Sequence, residues 1–358
     1  MSALQEHGGW SGVLGRLASG EDLSSEITRA VLGTILAGDA TDAQIAAFIV
    51  ALRLKGETVD ELAGLQGAML DAATPLTLPE GTIDIVGVGG APSRRVHALN
   101  VSTMAAFVAA AAGAVVCKHG NRKASSTSGS FDLLEALYVP IEVSPDELEA
   151  QVRDVGVGFA FARTFHPAMR HVGPVRAELG IPTVFNILGP LSHPARLTRQ
   201  VIGVADWTLA PSMIEVLRAT GSIRSLIVHG DGGLDELSTT GPREPCRSIR
   251  RDHGGRDRSC RPRLAPTSAD SSRVGTQPPT PPSPAARFAG ERGPVRYIVV
   301  LNAAAGLLVA GMADDLADGS PALQDATDDG RAETTLAALV APLTADTPIR
   351  HRGISVAG

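Results

Sequence analysis

At 358 residues, 44% hydrophobic and with a formal net charge of −6, the chain can bury a sizeable core and carries no basic footprint for nucleic acid. Its three cysteines lack metal-ligand spacing, which argues against a disulfide framework or a zinc site. The first ten residues lack a basic-then-apolar leader pattern, and the longest apolar stretch, Ala105 to Cys117, is too short and alanine-rich to span a bilayer; a cytoplasmic protein without membrane contact is expected.

In chain order, the first eighty residues read as helices. Ser24 to Leu36 places Ile27, Val31, Leu32 and Ile35 on one helical face. Thr41-Asp42 opens a second helix carrying Ile45, Phe48, Ile49, Leu52 and Leu54. Thr58 opens a third, with Asp60 and Glu61 suited to its first turn. No cluster of reactive side chains lies here, so residues 1–76 are expected to form a small helical domain for packing and dimer contact. From Thr82 short β-type runs alternate with helices. Strands are expected at 82–87, 114–117, 157–162, 201–205 and 225–229, and helices at 102–112, 131–137, 145–154, 166–179 and 208–219. This alternation predicts an α/β domain over 77–358 with a mainly parallel central sheet. Ligands of such sheets gather beyond the carboxyl ends of the strands.

Residues 242–292 break the pattern. They hold eleven arginines, nine prolines and two of the three cysteines, with Ile249, Leu264 and Val274 as the only Ile, Leu, Val or Met. Such a composition buries too little apolar surface to offset chain entropy. The span is expected to be a disordered insert or the product of two compensating frameshifts. Regular structure is expected to resume over Val295 to Met312.

Three polar loops follow expected strands. Gly87-Val88-Gly89-Gly90 lets backbone approach a ligand closely and leads to Asn100-Val101-Ser102-Thr103, where Ser102 or Thr103 is expected to cap the next helix. It is not a dinucleotide fingerprint, since Pro92 stands where the third glycine would be, and no Gly-Lys-Ser/Thr follows to make a Walker loop. Residues 118–130, Lys-His-Gly-Asn-Arg-Lys-Ala-Ser-Ser-Thr-Ser-Gly-Ser, form a donor-rich loop opening a helix, a setting that favours anions. The chain has only three lysines, Lys55, Lys118 and Lys123, so Lys118 is not one of many surface cations. Gly230-Asp231-Gly232-Gly233-Leu234-Asp235-Glu236 follows the strand expected at 225–229. Adjacent carboxylates on a glycine-rich turn suit Mg²⁺ when a phosphate shares the metal. Two anion loops and a metal loop together predict one ligand with several phosphates.

These segments, with His166-Pro167-Ala168-Met169-Arg170-His171, Pro174-Val175-Arg176 and Phe185-Asn186-x-Leu188-Gly189-Pro190, occur in an order that resembles the anthranilate phosphoribosyltransferases. The similarity runs from about residue 10 to 241 and resumes near 293 with Asn302-Ala303-Ala304-Ala305. The resemblance implies a nucleoside phosphorylase/phosphoribosyltransferase-like fold, a homodimer, and the substrates phosphoribosyl diphosphate and anthranilate with two Mg²⁺ per subunit. It implies phosphoribosyl diphosphate contacts from Gly87, Gly90, Asn100, Val101, Ser102, Thr103, Lys118, His119, Gly120, Asn121, Arg122, Ser125, Ser126 and Ser130. Anthranilate contacts are implied for Gly87, Asn121 and Arg176, and metal ligands in Ser102, Asp235 and Glu236. No residue is assigned as acid or base; Lys118 and Asn121 position and stabilise charge. His119 and His166 are candidates to line the anthranilate path. Two departures stand out: Ala91 to Leu99 lacks the acidic residue that relatives carry after the glycines, and Arg163 stands where relatives often carry proline. Competing readings are a pyrimidine nucleoside phosphorylase of the same superfamily and an inactive copy of the enzyme.

Overall fold

The computed structural model describes residues 3–89, 100–122, 129–239, 246–250 and 293–340. The chain opens with five helices, α1 (Ala3–Glu6), α2 (Gly9–Ala18), α3 (Ser25–Ala37), α4 (Asp42–Lys55) and α5 (Val59–Asp71). The helices expected from Ser24, Thr41 and Thr58 are present, and each of these residues caps its helix. Ser24 Oγ accepts from Ile27 N, and Thr41 with Gln44 and Thr58 with Glu61 form capping boxes. Helix α5 lies so close to α3 that a Cβ at Gly64 would collide with the Ser25 carbonyl. Glu61 is fully buried at that junction. Its Oε1 accepts from Leu23 N (2.9 Å), and its Oε2 from Thr58 N (2.8 Å) and Lys55 Nζ (2.9 Å).

The α/β region runs β1 (Asp84–Gly87), α6 (Val101–Ala111), β2 (Val116–Gly120), α7 (Ser130–Ala136), α8 (Pro145–Val155), β3 (Val157–Phe161), α9 (Ala162–Phe165), α10 (Gly173–Leu179), α11 (Val184–Leu191), β4 (Arg199–Gly203), α12 (Ala210–Ala219), β5 (Arg224–Val228), β6 (Cys246–Arg250), α13 (Pro294–Ala310), α14 (Ser320–Asp328) and α15 (Arg331–Val340). Strands β1, β4 and β5 pair in parallel and β6 adds antiparallel to β5. Strands β2 and β3 form a separate parallel pair, joined to β1 by the single bridge Ile83–Val116.

Alternation along the strands feeds two cores. Ile85, Val201 and Leu226 face α6 and α13, while Val86, Ile202 and Ile227 face the five N-terminal helices and α12. Burial on both faces explains why these strands read as continuous apolar runs.

The structure corrects several expected boundaries. Strand β2 extends through Gly120, so Lys118 and His119 lie on a strand and are buried. The single helix expected over 166–179 is a 3₁₀ turn over Pro167–His171 followed by α10, and α9 precedes it. Pro167 and Pro174 lack the N–H that a continuous helix needs. Within 242–292, Cys246–Arg250 is an edge strand rather than irregular chain, with Ile249 buried under α12's face of the sheet. Backbone pairing to β5 supplies the order that composition does not. Residues 240–245 and 251–292 lie outside the described residues. Among the described residues, no helix is long and apolar enough to cross a membrane.

Candidate active site

The carboxyl ends of β1, β4 and β5 converge on Asp235. After β5 the chain turns tightly: Gly230 bridges Leu234, with Gly232 and Gly233 in the left-handed region at φ 71° and 79°. This drives Asp235 across the ends of β1 and β4. A Cβ at Gly87 would collide with the Asp235 carboxylate, and one at Gly203 with its carbonyl oxygen. Gly89 N donates to Asp235 Oδ2 at 2.8 Å, tying the first glycine loop to the acidic loop. From behind, Asn302 on α13 grips Leu237, two residues on: its Oδ1 accepts from Leu237 N and its Nδ2 donates to Leu237 O, both at 2.9 Å.

Lys118 enters the same space from β2. Its Nζ donates to Ile85 O at 2.7 Å, and the side chain is almost wholly buried. Burial lowers its pKa; Asp84, Asp235 and Glu236 act in the opposite sense and favour the ammonium. Burial raises the pKa of Asp235, and burial together with the Asp235 charge pushes Glu236 well up. Two desolvated carboxyl groups that repel each other are a poor arrangement for a protein alone and a good one around a cation. Among the described residues, no cluster of three or more His, Cys, Asp or Glu could hold a metal unaided. The donor set fits a magnesium whose remaining ligands are phosphate oxygens.

Helix α6 packs against β1 and β2. Asn100, not Ser102 or Thr103, occupies the cap position, so Val101, Ser102 and Thr103 form the first turn. Ser102 is half-buried. Thr103 is fully buried, and its Oγ1 has no hydrogen-bond partner among the described residues. Gly120 stands against Ser130, where a Cβ would lie 2.6 Å from Ser130 Oγ. Asn121 is exposed, its Oδ1 accepting from Arg122 N. Arg122 pairs with Glu135 (2.7 Å) and Glu142 (3.3 Å) and covers the Phe161 ring. Its charge is thus partly neutralised within the protein. Gly90, Ser125, Ser126 and the departing 91–99 loop lie outside the described residues.

Beside Lys118 sit three histidines. The His119 ring is 5.1 Å from that of His166 and 5.7 Å from that of His193. Burial depresses all three, His166 to about 4 and His193 to about 3, so the cluster is neutral at pH 7. His119 Nε2 and His166 Nε2 are buried without a partner among the described residues. Arg176 is half-buried on α10. It stacks over Phe185, donates weakly to Asn186 Oδ1 at 3.4 Å, and has no carboxylate partner among the described residues. His171 packs its ring against Gly38 of the helical region, which makes it a packing residue. Arg163 is exposed on α9.

Known proteins resemble this chain in sequence and fold. Family models described as glycosyl transferase family match the helical bundle domain over 11–73 and the a/b domain over 80–333. An anthranilate phosphoribosyltransferase of Parvibaculum lavamentivorans is 44% identical over 338 residues, covering 92% of this chain and 96% of the relative. The chain belongs to the anthranilate phosphoribosyltransferase family. Among solved structures, the Thermus thermophilus member superposes with a TM-score of 0.78 at 38% identity, over 92% of this chain and 98% of that one. The Saccharomyces cerevisiae member, in complex with PRPP and Mg, gives 0.72 at 25%, over 92% and 96%.

Membership in the anthranilate phosphoribosyltransferases does not account for every residue that builds the site. Sequence reading missed Gly203, Asp84 and His193. It noted Asn302 without giving it a role. Gly203 had a faint signal, a glycine inside the strand expected at 201–205. Asn302 and Asp84 had another, a lone polar residue inside an apolar run. His193 had none.

Proposed function

We propose that the crevice bounded by Gly89, Lys118 and Asp235 is where this chain transfers the phosphoribosyl group from phosphoribosyl diphosphate to the amine of anthranilate. The products are N-(5-phosphoribosyl)anthranilate and diphosphate, the second step from chorismate to tryptophan. The observation that carries the assignment is the convergence itself: the Gly89 amide on Asp235, with the Lys118 ammonium in the field of Asp235 and Glu236.

The aniline nitrogen is neutral at pH 7 and needs no strong base. The difficult event is departure of diphosphate from C1 as positive charge builds on the ribose. Magnesium held by Asp235, Glu236 and Ser102 with the diphosphate, as two ions per subunit, would neutralise charge on the leaving group. The chain's own groups do the rest. The Val101 and Ser102 amides in the first turn of α6, with the Thr103 hydroxyl, bind diphosphate oxygens, and Lys118 adds full charge. The neutral His119 and His166 rings offer unpaired nitrogens to the acceptor without charging it. Arg176 offers a planar fork to the carboxylate of anthranilate, and Asn121 helps orient the ring. Orientation of the amine toward C1 supplies much of the acceleration. Direct displacement inverts C1 and needs no covalent intermediate. Residues 1–76 serve as a dimerising helical unit, on which Leu54 is 83% exposed. The site suits a cytoplasmic enzyme of two small substrates.

The full chain, assayed with phosphoribosyl diphosphate, Mg²⁺ and anthranilate by loss of anthranilate fluorescence, tests this. Lys118→Ala is expected to lower kcat/KM by roughly a hundredfold, the scale of one lost charge-stabilising donor. Unchanged turnover in that variant would remove the site assignment. Absence of turnover in folded wild-type protein that still binds phosphoribosyl diphosphate would favour the inactive-copy reading. Arg176→Lys keeps charge but loses the fork, and is expected to raise KM for anthranilate roughly tenfold while KM for phosphoribosyl diphosphate holds. A shift in both constants would count against a carboxylate contact.

A further inference from the structure

The parallel ladder between β1 and β2 starts normally and then opens. Ile83 N donates to Val115 O and Cys117 N to Ile83 O, both at 2.9 Å. In the same register the next rungs would join Ile85 N to Cys117 O and His119 N to Ile85 O. Neither rung forms. Three of these four backbone groups, His119 N, Cys117 O and Ile85 O, meet a side chain instead. Asp84 Oδ1 accepts from His119 N at 3.2 Å. His193 Nε2 lies 3.0 Å from Cys117 O. His193 Nδ1 accepts from Ala195 N, so the proton must sit on Nε2 and be donated to Cys117. Lys118 Nζ donates to Ile85 O.

Buried backbone groups are costly to leave unpaired, so an opening of this kind persists only while substitutes are present. Asp84 and His193 are themselves fully enclosed. Asp84 faces the Lys118 ammonium and, across the β1–β4 pair, Gln200, whose amide donates to Pro190 O at 3.1 Å. His193 sets its ring edge-on to that of His119.

We propose that Asp84 and His193 are positioning residues that wedge the sheet open between β1 and β2, so that Lys118 is presented to phosphoribosyl diphosphate and the His119 ring to the acceptor. Neither wedge residue touches substrate. Asp84 acts through Lys118, and His193 acts through His119. The inference rests on the reading of Lys118 and His119 as substrate contacts.

Asp84→Asn keeps volume but loses the charge facing Lys118 and one of two acceptor oxygens. In the full chain it is expected to raise KM for phosphoribosyl diphosphate about tenfold, with KM for anthranilate within about twofold. It is also expected to move the side-chain NMR signal of Lys118, which is tractable because lysine labelling marks only Lys55, Lys118 and Lys123. Loss of a signal in Lys118→Ala assigns it. His193→Ala is expected to give the opposite split, with KM for anthranilate raised about tenfold, and His193→Asn to restore it in part because an amide can donate to Cys117 O. A lower unfolding temperature in Asp84→Asn with both KM values and the Lys118 signal unmoved would overturn the proposal, since an ordinary buried polar residue predicts that result. If Asp84→Asn does not fold, the His193 pair decides alone: no change in anthranilate KM and no rescue sinks it. Unchanged KM in Lys118→Ala would fault the substrate reading instead, while the Lys118 signal in Asp84→Asn still decides whether Asp84 holds that side chain.

Discussion

Asp235→Asn is expected to lower kcat/KM for phosphoribosyl diphosphate by about a hundred- to a thousandfold while leaving the protein folded, the range seen when one preorganised charge-stabilising group is removed. The substitution is isosteric. Its carbonyl oxygen can still accept the Gly89 N–H that Asp235 Oδ2 accepts now, so the glycine loop stays anchored. What disappears is the negative charge against which Lys118 is held and on which a cation would rest. Glu236 loses the neighbour that helps push its pKa up, so it ionises more readily and one acidic ligand remains. The weakened site should then need several-fold more Mg²⁺ for half-maximal rate. Steady-state rates across a magnesium titration, beside a thermal unfolding curve, check both parts. A variant within twofold of wild type at every magnesium concentration would show that Asp235 only shapes the loop.

Glu61→Ala is expected to cost about 3–5 kcal/mol of folding stability, the range for breaking a buried ion pair from one side. Both of its carboxylate oxygens are in use. One holds the chain entering α3 through Leu23 N, and the other closes the α5 capping box and meets Lys55. Asp22, at 2.7 Å from Lys55 Nζ, remains after the substitution but is largely exposed, so it compensates little. Denaturant unfolding followed by circular dichroism measures the loss. Glu61→Gln, which keeps an acceptor for one N–H, should fall between. A loss under about 1 kcal/mol would mean that the network is only as strong as a surface pair.

What was legible in the sequence was local. Thr41 and Thr58 announced their helices because a cap needs only its own turn, and the helix after Ser24 was legible from its apolar spacing. The three polar loops were legible because their chemistry is contiguous along the chain, and the strands before them because both faces are buried. The end of β2 was not legible. Lys118 and His119 read as loop residues on polarity, yet they are buried, because partners far away in sequence, Ile85 O and the Asp84 carboxylate, satisfy the Lys118 ammonium and the His119 backbone N–H. The same holds for His193, whose role depends on Cys117, and for Gly203, whose missing side chain matters only because Asp235 crosses it. Residues 246–250 looked structureless because an edge strand borrows its order from the neighbour that it pairs with. Such residues are defined by contacts that no window of sequence contains.

The grip of Asn302 on Leu237 reaches across the arginine- and proline-rich stretch. Every segment expected to touch either substrate has been synthesised by residue 239, yet the acidic turn has no backing from α13 until the ribosome has passed residue 302. A premature stop anywhere in 251–292, or a shift of reading frame not undone before α13, would therefore silence a site whose own residues are all intact.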